Sequence, residues 1–225
     1  MSRYLVIDTS ANTSVALYDE ATGNVLAERN SERGNDQTET LAGYVQDVLA
    51  DTGITGNELA GIIAGTGPGP FTGLRVGLVA ARTFSYVWSL PLHGAMSLGA
   101  LAHRVTRELA PTTDFLVATD ARRREVYWAR FGTDGTRLDG PHVGPAAELP
   151  ALPVHGVGAG LYTEALAEAG ATVADTSSNW LTRAADLAPR ALADLATGAD
   201  LSSTAPLYLR ESDAQVPAFM KQAKG

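Results

Sequence analysis

The sequence predicts an α/β protein built from two related halves, and three observations support this prediction. An apolar segment with a polar end occurs twice, as YLVIDT from Tyr4 and FLVATD from Phe115. Each copy precedes a second strand-like segment and a turn, at Gly23 or Gly135, which is the pattern of a hairpin. Each half then supplies a helix, a strand that ends in glycines and another helix, and chance rarely produces such a shared order.

The first half contains the more strongly patterned elements. Apolar runs and alternation predict strands at residues 4–8, 14–18, 25–28 and 59–64 and helices at residues 36–52 and 72–88. Asp36 followed by Glu39 is a capping pattern for the first helix, and Gly53 is suited to its C-terminus. We assign residues 1–109 to an N-terminal lobe.

The second half is predicted to be a less complete copy. The same signals predict strands at residues 115–119, 125–131 and 154–157, helices at 161–169 and 183–197, and an extended segment at 206–210. Little helical pattern occurs before Val154, where the first half has a full helix. Residues 110–204 form the predicted C-terminal lobe, and residues 205–225 are candidates to pack back on the N-terminal lobe.

Composition excludes several kinds of chemistry. The chain has no Cys, which excludes disulfides, thiolate metal sites and a Cys nucleophile. Its only lysines, Lys221 and Lys224, lie in a polar tail, so the folded body has no P-loop or Schiff-base Lys. A formal net charge of -8 argues against a primary nucleic-acid binder, because phosphate neutralisation dominates such affinity. With no long apolar run and no basic, apolar leader, we expect a cytoplasmic protein without membrane contact.

A glycine- and proline-rich loop, GTGPGPFTG from Gly65, leads into the helix predicted at residues 72–88. Free amides at a helix N-terminus can bind an anion, but Gly73 is not followed by the Lys and Ser or Thr of a P-loop. The glycines also miss the dinucleotide spacing, and Pro68 and Pro70 remove two backbone donors. The loop is either a rigid structural or interface turn or a direct ligand contact, and the sequence leaves both open.

The helix at residues 72–88 is almost entirely apolar or small, with Arg75 and Arg82 as its only charges. A helix that is apolar all round must be covered on more than one side. It is therefore either a central helix of its own domain or a helix whose outer face binds another chain. Two stripes are candidates for that outer face. They are Leu74, Leu78 and Ala81 on one side and Val76, Val79 and Val87 on the other.

The four histidines are too widely separated to form the paired ligands of a helical metal site. They are His93, His103, His142 and His155. We therefore expect no metal and interpret each as an ordinary core or surface residue.

The sequence Arg122-Arg123-Arg124 is the only local basic cluster. It is either a solvated hairpin turn or a contact for a phosphate or an acidic partner surface.

Four segments together resemble one known family. They are Ile7-Asp8-Thr9-Ser10, GPGPFTGLRVGL from Gly67, DARRREVYWA from Asp120 and Pro206-Leu207-Tyr208-Leu209-Arg210. A duplicated unit with an Asp-Thr-Ser turn after its first strand resembles the actin, Hsp70 and sugar-kinase ATPase superfamily. Within that superfamily the chain resembles the TsaB (YeaZ) family. One departure is Gln37-Thr38-Glu39, where relatives commonly have His-Ser-Glu, which argues against a role for an imidazole there.

The resemblance implies a two-lobed, actin-like (ASKHA) fold and a subunit without catalytic chemistry of its own. In that family's pathway, a TsaD-like protein transfers threonylcarbamoyl to the adenosine beside the anticodon of tRNA. The TsaB-like subunit supports it, and a TsaE-like ATPase joins the pair. The chain is then expected to hold no cofactor of its own, with ATP or ADP only in the complex, and to meet tRNA only indirectly. A homodimer of the isolated chain, paired through the same apolar face, stays open.

The expected partner interface lies on the two helices of the N-terminal lobe. Its candidate residues are Tyr44, Val48, Phe71, Leu74, Arg75, Leu78 and Arg82. The candidates for contact with a nucleotide or anion are Asp8, Thr9, Ser10 and Gly69.

Two other functional classes compete with a non-catalytic subunit. An independent actin-like kinase or ATPase would use the Asp8 turn for phosphates and the glycines at 156, 158 and 160 for the nucleoside. Such a site normally needs a second acidic loop, and Asp120 stands there beside three arginines. A protease would need a nucleophile or metal motif, and the chain has no G-x-S-x-G, no H-E-x-x-H and no Cys.

Overall fold

The computed structural model describes residues 2–32 and 37–210, and it contains two five-stranded mixed sheets. The first sheet has the strand order β3-β2-β1-β4-β5, with β2 antiparallel to both of its neighbours and β4 parallel to β1 and β5. Its strands are β1 (Arg3–Asp8), β2 (Ser14–Asp19), β3 (Asn24–Asn30), β4 (Gly61–Gly65) and β5 (Leu92–Ala95). Its helices are α1 (Gln37–Thr52), α2 (Phe71–Trp88) and α3 (Leu98–Leu109).

The second sheet has the order β10-β9-β6-β7-β8, with antiparallel β6–β7 and β7–β8 pairs and parallel β6–β9 and β9–β10 pairs. Its strands are β6 (Phe115–Asp120), β7 (Glu125–Phe131), β8 (Arg137–Pro145), β9 (Pro153–His155) and β10 (Thr172–Val173). The remaining helices are α4 (Val157–Leu161), α5 (Thr163–Glu168) and α6 (Ala184–Ala196).

The two sheets repeat one topology, which confirms the predicted two-lobed α/β fold. In each sheet, the first strand in sequence lies at the centre, between its antiparallel hairpin partner and a parallel strand. The second copy is reduced between its third and fourth strands. A single short helical turn, Ala146–Glu148, stands where the first copy has the 16 residues of α1.

Both faces of the first sheet are covered by helices. Leu5 and Ile7 of β1 pack with α1 and α2, whereas Val6 faces the opposite side and packs with α3 and α6. This alternation explains why β1 is apolar along its length, since a strand buried on both faces has no solvent side. Although α6 follows the second sheet in sequence, it packs on β1, β2 and β4 and along α3. The predicted lobe boundary at residues 109 and 110 stays a prediction.

Most predicted elements exist with ends shifted by a few residues, and several elements were not predicted. β5, α3 and α4 have no counterpart among the sequence predictions, and β8 was implied only by the repeat. The segment 206–210 has no regular strand. The proposed helix cap Asp36 lies outside the described residues.

No helix within residues 2–32 and 37–210 combines the length and the apolarity needed to cross a membrane.

Candidate functional site

The outer face of α2 is a candidate surface for a partner. The inner side of this helix is small and buried, with Gly73, Leu74, Gly77, Leu78 and Ala81 pointing inward. On the outer side Val79 is 59% exposed, Tyr86 87% and Val87 64%. Of the two competing stripes, the valine stripe therefore faces out, except that Val76 is partly buried against the core.

Three of the predicted interface residues do not lie at the surface. Val48 and Leu74 are completely buried, and Leu78 is 2% exposed. Val48 and Leu78 belong to the core between α1, α2 and the sheet, so they have almost no area left for a partner. They lie inside the protein, and the predicted contact role for them is wrong. Tyr44 is partly buried against the same core, and Phe71, Arg75 and Arg82 are exposed.

α2 lies unusually close to the turn after β1. Thr9 Oγ1 donates a hydrogen bond to the carbonyl oxygen of Gly73 at 2.8 Å. A Cβ on Gly77 would clash with the Thr9 side chain. The small residues of α2 therefore mark its inner face, because only they permit this approach.

A segment near the C-terminus, residues 204–210, crosses from α2 to the second sheet, and we call it the strap. At one end Arg82 donates to Thr204, from Nε to Oγ1 at 3.1 Å and from Nη2 to the backbone oxygen at 2.8 Å. The Leu207 amide donates to the Thr66 carbonyl at 2.8 Å. At the other end Arg210 donates to the Ala121 carbonyl at 2.9 Å and pairs with Glu125.

The strap also completes an aromatic and cationic cluster at the start of α2. The ring centroids of Phe71 and Tyr208 are 4.5 Å apart. The Arg75 guanidinium lies 3.6 Å from the Phe71 centroid, and its Nε donates to Tyr208 Oη at 3.0 Å. This cluster is continuous in sequence with the exposed helix face. An Arg flanked by aromatic rings is typical of interface anchors.

The turn predicted to contact a nucleotide lies inside the protein. Asp8 is fully buried, and its Oδ1 accepts hydrogen bonds from the Ser10 amide (2.9 Å), Ser10 Oγ (2.6 Å) and Thr182 Oγ1 (3.2 Å). Ser10 is 4% exposed, and a Cβ on Gly69 would clash with its carbonyl oxygen. Asp8 Oδ2 is buried without a hydrogen-bond partner among the described residues. In this conformation the turn offers almost no accessible surface to a phosphate.

The chain also covers its second glycine loop, at the start of α4. The amides of Gly156, Val157 and Gly160 donate to the carbonyl oxygens of Ser177 (3.0 Å), Trp180 (2.8 Å) and Ser178 (3.1 Å), respectively. The segment 177–182 therefore joins this loop to the Asp8 turn through Thr182. Amides that would be available to a ligand in an open actin-like cleft are bound here by the chain's own backbone.

The histidines occupy ordinary positions. Burial lowers the pKa values of His93 and His103, and the charges of Arg107 and Arg190 lower that of His103 further. His155 is 6% exposed, and burial lowers its pKa to about 4. Within the described part of the chain, no group of three or more His, Cys, Asp or Glu side chains is placed to hold a metal ion.

Comparison with known proteins gives consistent matches. The family model described as TsaD, tRNA N6-adenosine threonylcarbamoyltransferase, matches residues 33–186. An uncharacterized protein of Mycobacterium tuberculosis is 42% identical over 135 residues, covering 59% of this chain and 61% of the relative. The tRNA threonylcarbamoyladenosine biosynthesis protein TsaB of Escherichia coli is 35% identical over 133 residues, covering 59% and 56%. The chain thus spans less than two thirds of the length of the curated relatives it matches.

A solved structure matches over almost the whole chain. The structure of YeaZ from Pseudomonas aeruginosa aligns with a TM-score of 0.76 and 28% identity, covering 93% of this chain and 100% of that one. The likeness extends through both sheets and supports the fold described above.

Proposed function

Since the chain belongs to the TsaB/YeaZ family, we propose that it is a non-catalytic subunit that binds a TsaD-like protein and supports threonylcarbamoyl transfer to tRNA. The observation that carries this proposal is the exposed face of α2, where Val79, Tyr86 and Val87 are exposed on an 18-residue helix whose opposite side is buried. Clustered exposed apolar side chains of this kind mark protein interaction sites. Because the chain has a net charge of -8, it would bind tRNA phosphates poorly, so the partner makes most of the contacts with tRNA.

The partner surface combines three parts of the molecule. We define the docking face as Val79, Tyr86 and Val87, extended by the Phe71, Arg75 and Tyr208 cluster. The exposed side of α1 flanks it, because α1 and α2 pack side by side on one face of the first sheet. A TsaE-like ATPase joins the assembled pair in the cytoplasm, and the docking face pairs with a second copy when the partner is missing.

Co-purification with a TsaD-like protein from the same cell tests this proposal. We expect a stoichiometric complex that survives gel filtration, and loss of the modified adenosine in tRNA when the subunit is depleted. Absence of a complex at micromolar concentrations of both proteins would contradict the proposed function.

One observation favours a second candidate, an actin-like ATPase or kinase. Asp8 Oδ2 is a buried acidic oxygen at the end of β1, with no hydrogen-bond partner in the described part of the chain, and such enzymes hold nucleotide phosphates at this position. Against this candidate, the amides of the Gly156 loop and the other Asp8 oxygen are already bound within the chain. The subunit is therefore expected to carry no ATPase activity.

We predict negligible ATP hydrolysis and no peptide hydrolysis by the purified chain, and the same for Asp8→Ala. The substitution should instead lower the melting temperature, because Ser10 and Thr182 lose their shared acceptor. Each of the three hydrogen bonds to Asp8 Oδ1 contributes about 1 kcal/mol, so we expect a loss of about 3 kcal/mol. Robust ATP turnover that Asp8→Ala abolishes would favour the ATPase or kinase candidate.

A further inference from the structure

The exposed stripe of α2 contains an arginine beside its apolar residues. Phe71, Arg75 and Val79 follow one another at four-residue spacing, so they lie one above the other on the same face of the helix. Tyr86 continues this stripe, and all four side chains are exposed. Arg75 and Val79 are separated by only about 6 Å along the helix axis. A partner that covers Val79 therefore also covers Arg75.

The Arg75 guanidinium is held in one orientation by two aromatic side chains. Its Cζ lies 3.6 Å from the Phe71 ring centroid and 6.0 Å from the Tyr208 centroid. Its Nε donates a hydrogen bond to Tyr208 Oη at 3.0 Å. A guanidinium that is fixed before binding loses less conformational freedom in a complex than a free one. The donors at Nη1 and Nη2 are thus prepared for a ligand.

Tyr208 is itself fixed by neighbouring residues of the strap. The Leu207 amide donates to the carbonyl of Thr66, which directly follows β4 of the first sheet. Arg210 pairs with Glu125 at the start of β7 in the second sheet. These contacts hold the strap on both lobes, so the position of the Tyr208 ring, and with it the orientation of the Arg75 guanidinium, depends on both.

Arg75 has no counter-charge within residues 2–32 and 37–210. Its side-chain hydrogen bond goes to a neutral hydroxyl, and α2 itself has no acidic residue. Arg82, the other charged residue of α2, donates from Nε and Nη2 to Thr204, also a neutral group. The exposed stripe is therefore locally positive, although the chain has a net charge of -8.

Covering Arg75 with a protein surface changes what this guanidinium requires. In the free subunit, water solvates its terminal N–H groups. Beneath a partner the guanidinium loses that water, and a buried charge without a counter-charge strongly opposes association. A carboxylate supplies both the hydrogen-bond acceptors and the opposite charge, and it matches the planar donors of the guanidinium.

We propose that Arg75 binds a carboxylate of the TsaD-like partner and that Tyr208 is the residue that positions Arg75 for this contact. The inference rests on the proposed function, and it names the chemistry of the partner at one point of the docking face. The rings of Phe71 and Tyr208 shield the pair from water, as aromatic side chains do around interface anchors. The contact also gives specificity, because a partner with an apolar or basic residue at this point leaves Arg75 unpaired.

Arg75→Met is the first test, because Met keeps an unbranched apolar stem beside Phe71 and removes the charge. Binding to the TsaD-like protein from the same cell is measured by calorimetric titration of the two purified, ribonuclease-treated proteins. We expect roughly 100-fold weaker binding, since the carboxylate of the partner is then buried unpaired. Arg75→Lys keeps the charge without the planar donors and should bind about tenfold more weakly. The melting temperature of the subunit should change little, because Arg75 is exposed.

Tyr208→Phe tests the positioning role. Phe keeps the ring beside Phe71 and removes only the oxygen that accepts the Arg75 hydrogen bond. We expect about fivefold weaker partner binding when Arg75 is present. The same change added to Arg75→Met should cause no further loss, because its effect passes through the guanidinium. Equal losses with and without Arg75 would overturn the positioning role.

Charge reversal tests the carboxylate directly. Arg75→Glu should weaken binding by more than Arg75→Met does, because two carboxylates then meet. The surface Asp and Glu residues of the partner are each exchanged for Arg in turn, and one exchange should restore the affinity of Arg75→Glu at least tenfold. If no exchange restores it, no carboxylate of the partner faces Arg75 and the proposal is overturned.

Arg137→Met is the matched control, because Arg137 is an exposed arginine on β8 of the second sheet. It should leave partner affinity unchanged. The proposal is overturned if Arg75→Met binds the partner as tightly as the unmodified chain. It is also overturned if Arg75→Met changes only the tRNA affinity of the complex or only the self-association of the isolated chain, results that would assign Arg75 to a phosphate or to a second copy.

Failure of the proposed function would give a different result. If the unmodified chain forms no complex with the TsaD-like protein, the proposed function fails and this inference fails with it. If the unmodified chain binds and the Arg75 variants bind equally well, only this inference fails.

Discussion

Glutamate in place of Val79 or Tyr86 is expected to prevent binding to the TsaD-like partner while leaving the subunit folded. Val79 is 59% and Tyr86 87% exposed, so a carboxylate at either position remains in water in the free subunit. In the complex it would be buried without a counter-ion, at a cost of about 3–5 kcal/mol. That cost corresponds to a complex weakened by roughly two to four orders of magnitude. Calorimetric titration with the partner and a melting curve of the subunit measure the two effects separately.

Leu138→Glu provides the control for this experiment. Leu138 is 52% exposed but lies on β8 of the second sheet, away from α2. The same change of a large apolar side chain to a carboxylate should leave partner binding and the modified adenosine in tRNA unaffected. Unchanged affinity of the Val79 and Tyr86 variants would show that the partner binds elsewhere, even if a complex forms.

The strands were predictable because local pattern is enough to specify them. β1 and β6 are apolar runs that begin each half, and their burial on both faces follows from helices on both sides of the sheet. β5 is shorter and carries His93 and Gly94, and α3 contains three arginine and histidine side chains within twelve residues. β5 therefore has no apolar run, whereas Leu98, Leu101, Ala102 and Val105 give α3 a helical periodicity that the prediction missed.

The orientation of α2 was present in the sequence as a weaker signal. Leu74 and Leu78 share the inner face with Gly73 and Gly77, and it is these glycines that approach Thr9. Small residues at four-residue spacing indicate close packing against another element. This signal would have assigned the leucines to the core and removed them from the predicted interface.

The closure of the cleft could not be predicted from local pattern. It depends on Thr182 reaching Asp8 across 174 residues of sequence and on backbone hydrogen bonds from the Gly156 loop to residues 177–180. A glycine loop that binds a ligand and one that binds its own chain have the same composition. The contacts of the strap could not be predicted from local pattern either. Its residues 206–210, PLYLR, were nevertheless one of the segments that carried the family resemblance.

The stability of the protein should fall in acid because of His155, the most strongly perturbed histidine. Its Nδ1 lies 2.7 Å from Ser177 Oγ, and its ring meets the Phe115 ring edge to face, with centroids 5.6 Å apart. Burial lowers its pKa from 6.5 to about 4, so the folded protein keeps the ring neutral while the unfolded chain takes up a proton. The unfolded state then binds more protons between these two pH values. The contribution of His155 to stability is therefore constant above about pH 6.5 and decreases as the pH falls toward 4, by about 3 kcal/mol.

His155→Asn should remove this part of the acid sensitivity. Asn keeps a polar group near the position of Nδ1, where it can bond to Ser177, and it cannot take up the proton. Denaturant unfolding at pH 7, 6, 5 and 4 should give a shallower decline for the variant than for the unmodified protein. His93 and His103 also have lowered pKa values and act with the same sign, but they are present in both proteins and cancel in the comparison.

His142→Asn, a change at an exposed position, controls for the loss of any imidazole. If the free energy of unfolding falls equally with pH for His155→Asn and the unmodified protein, a neutral, buried His155 is contradicted. A variant that is less stable at pH 7 but loses less stability in acid would support it.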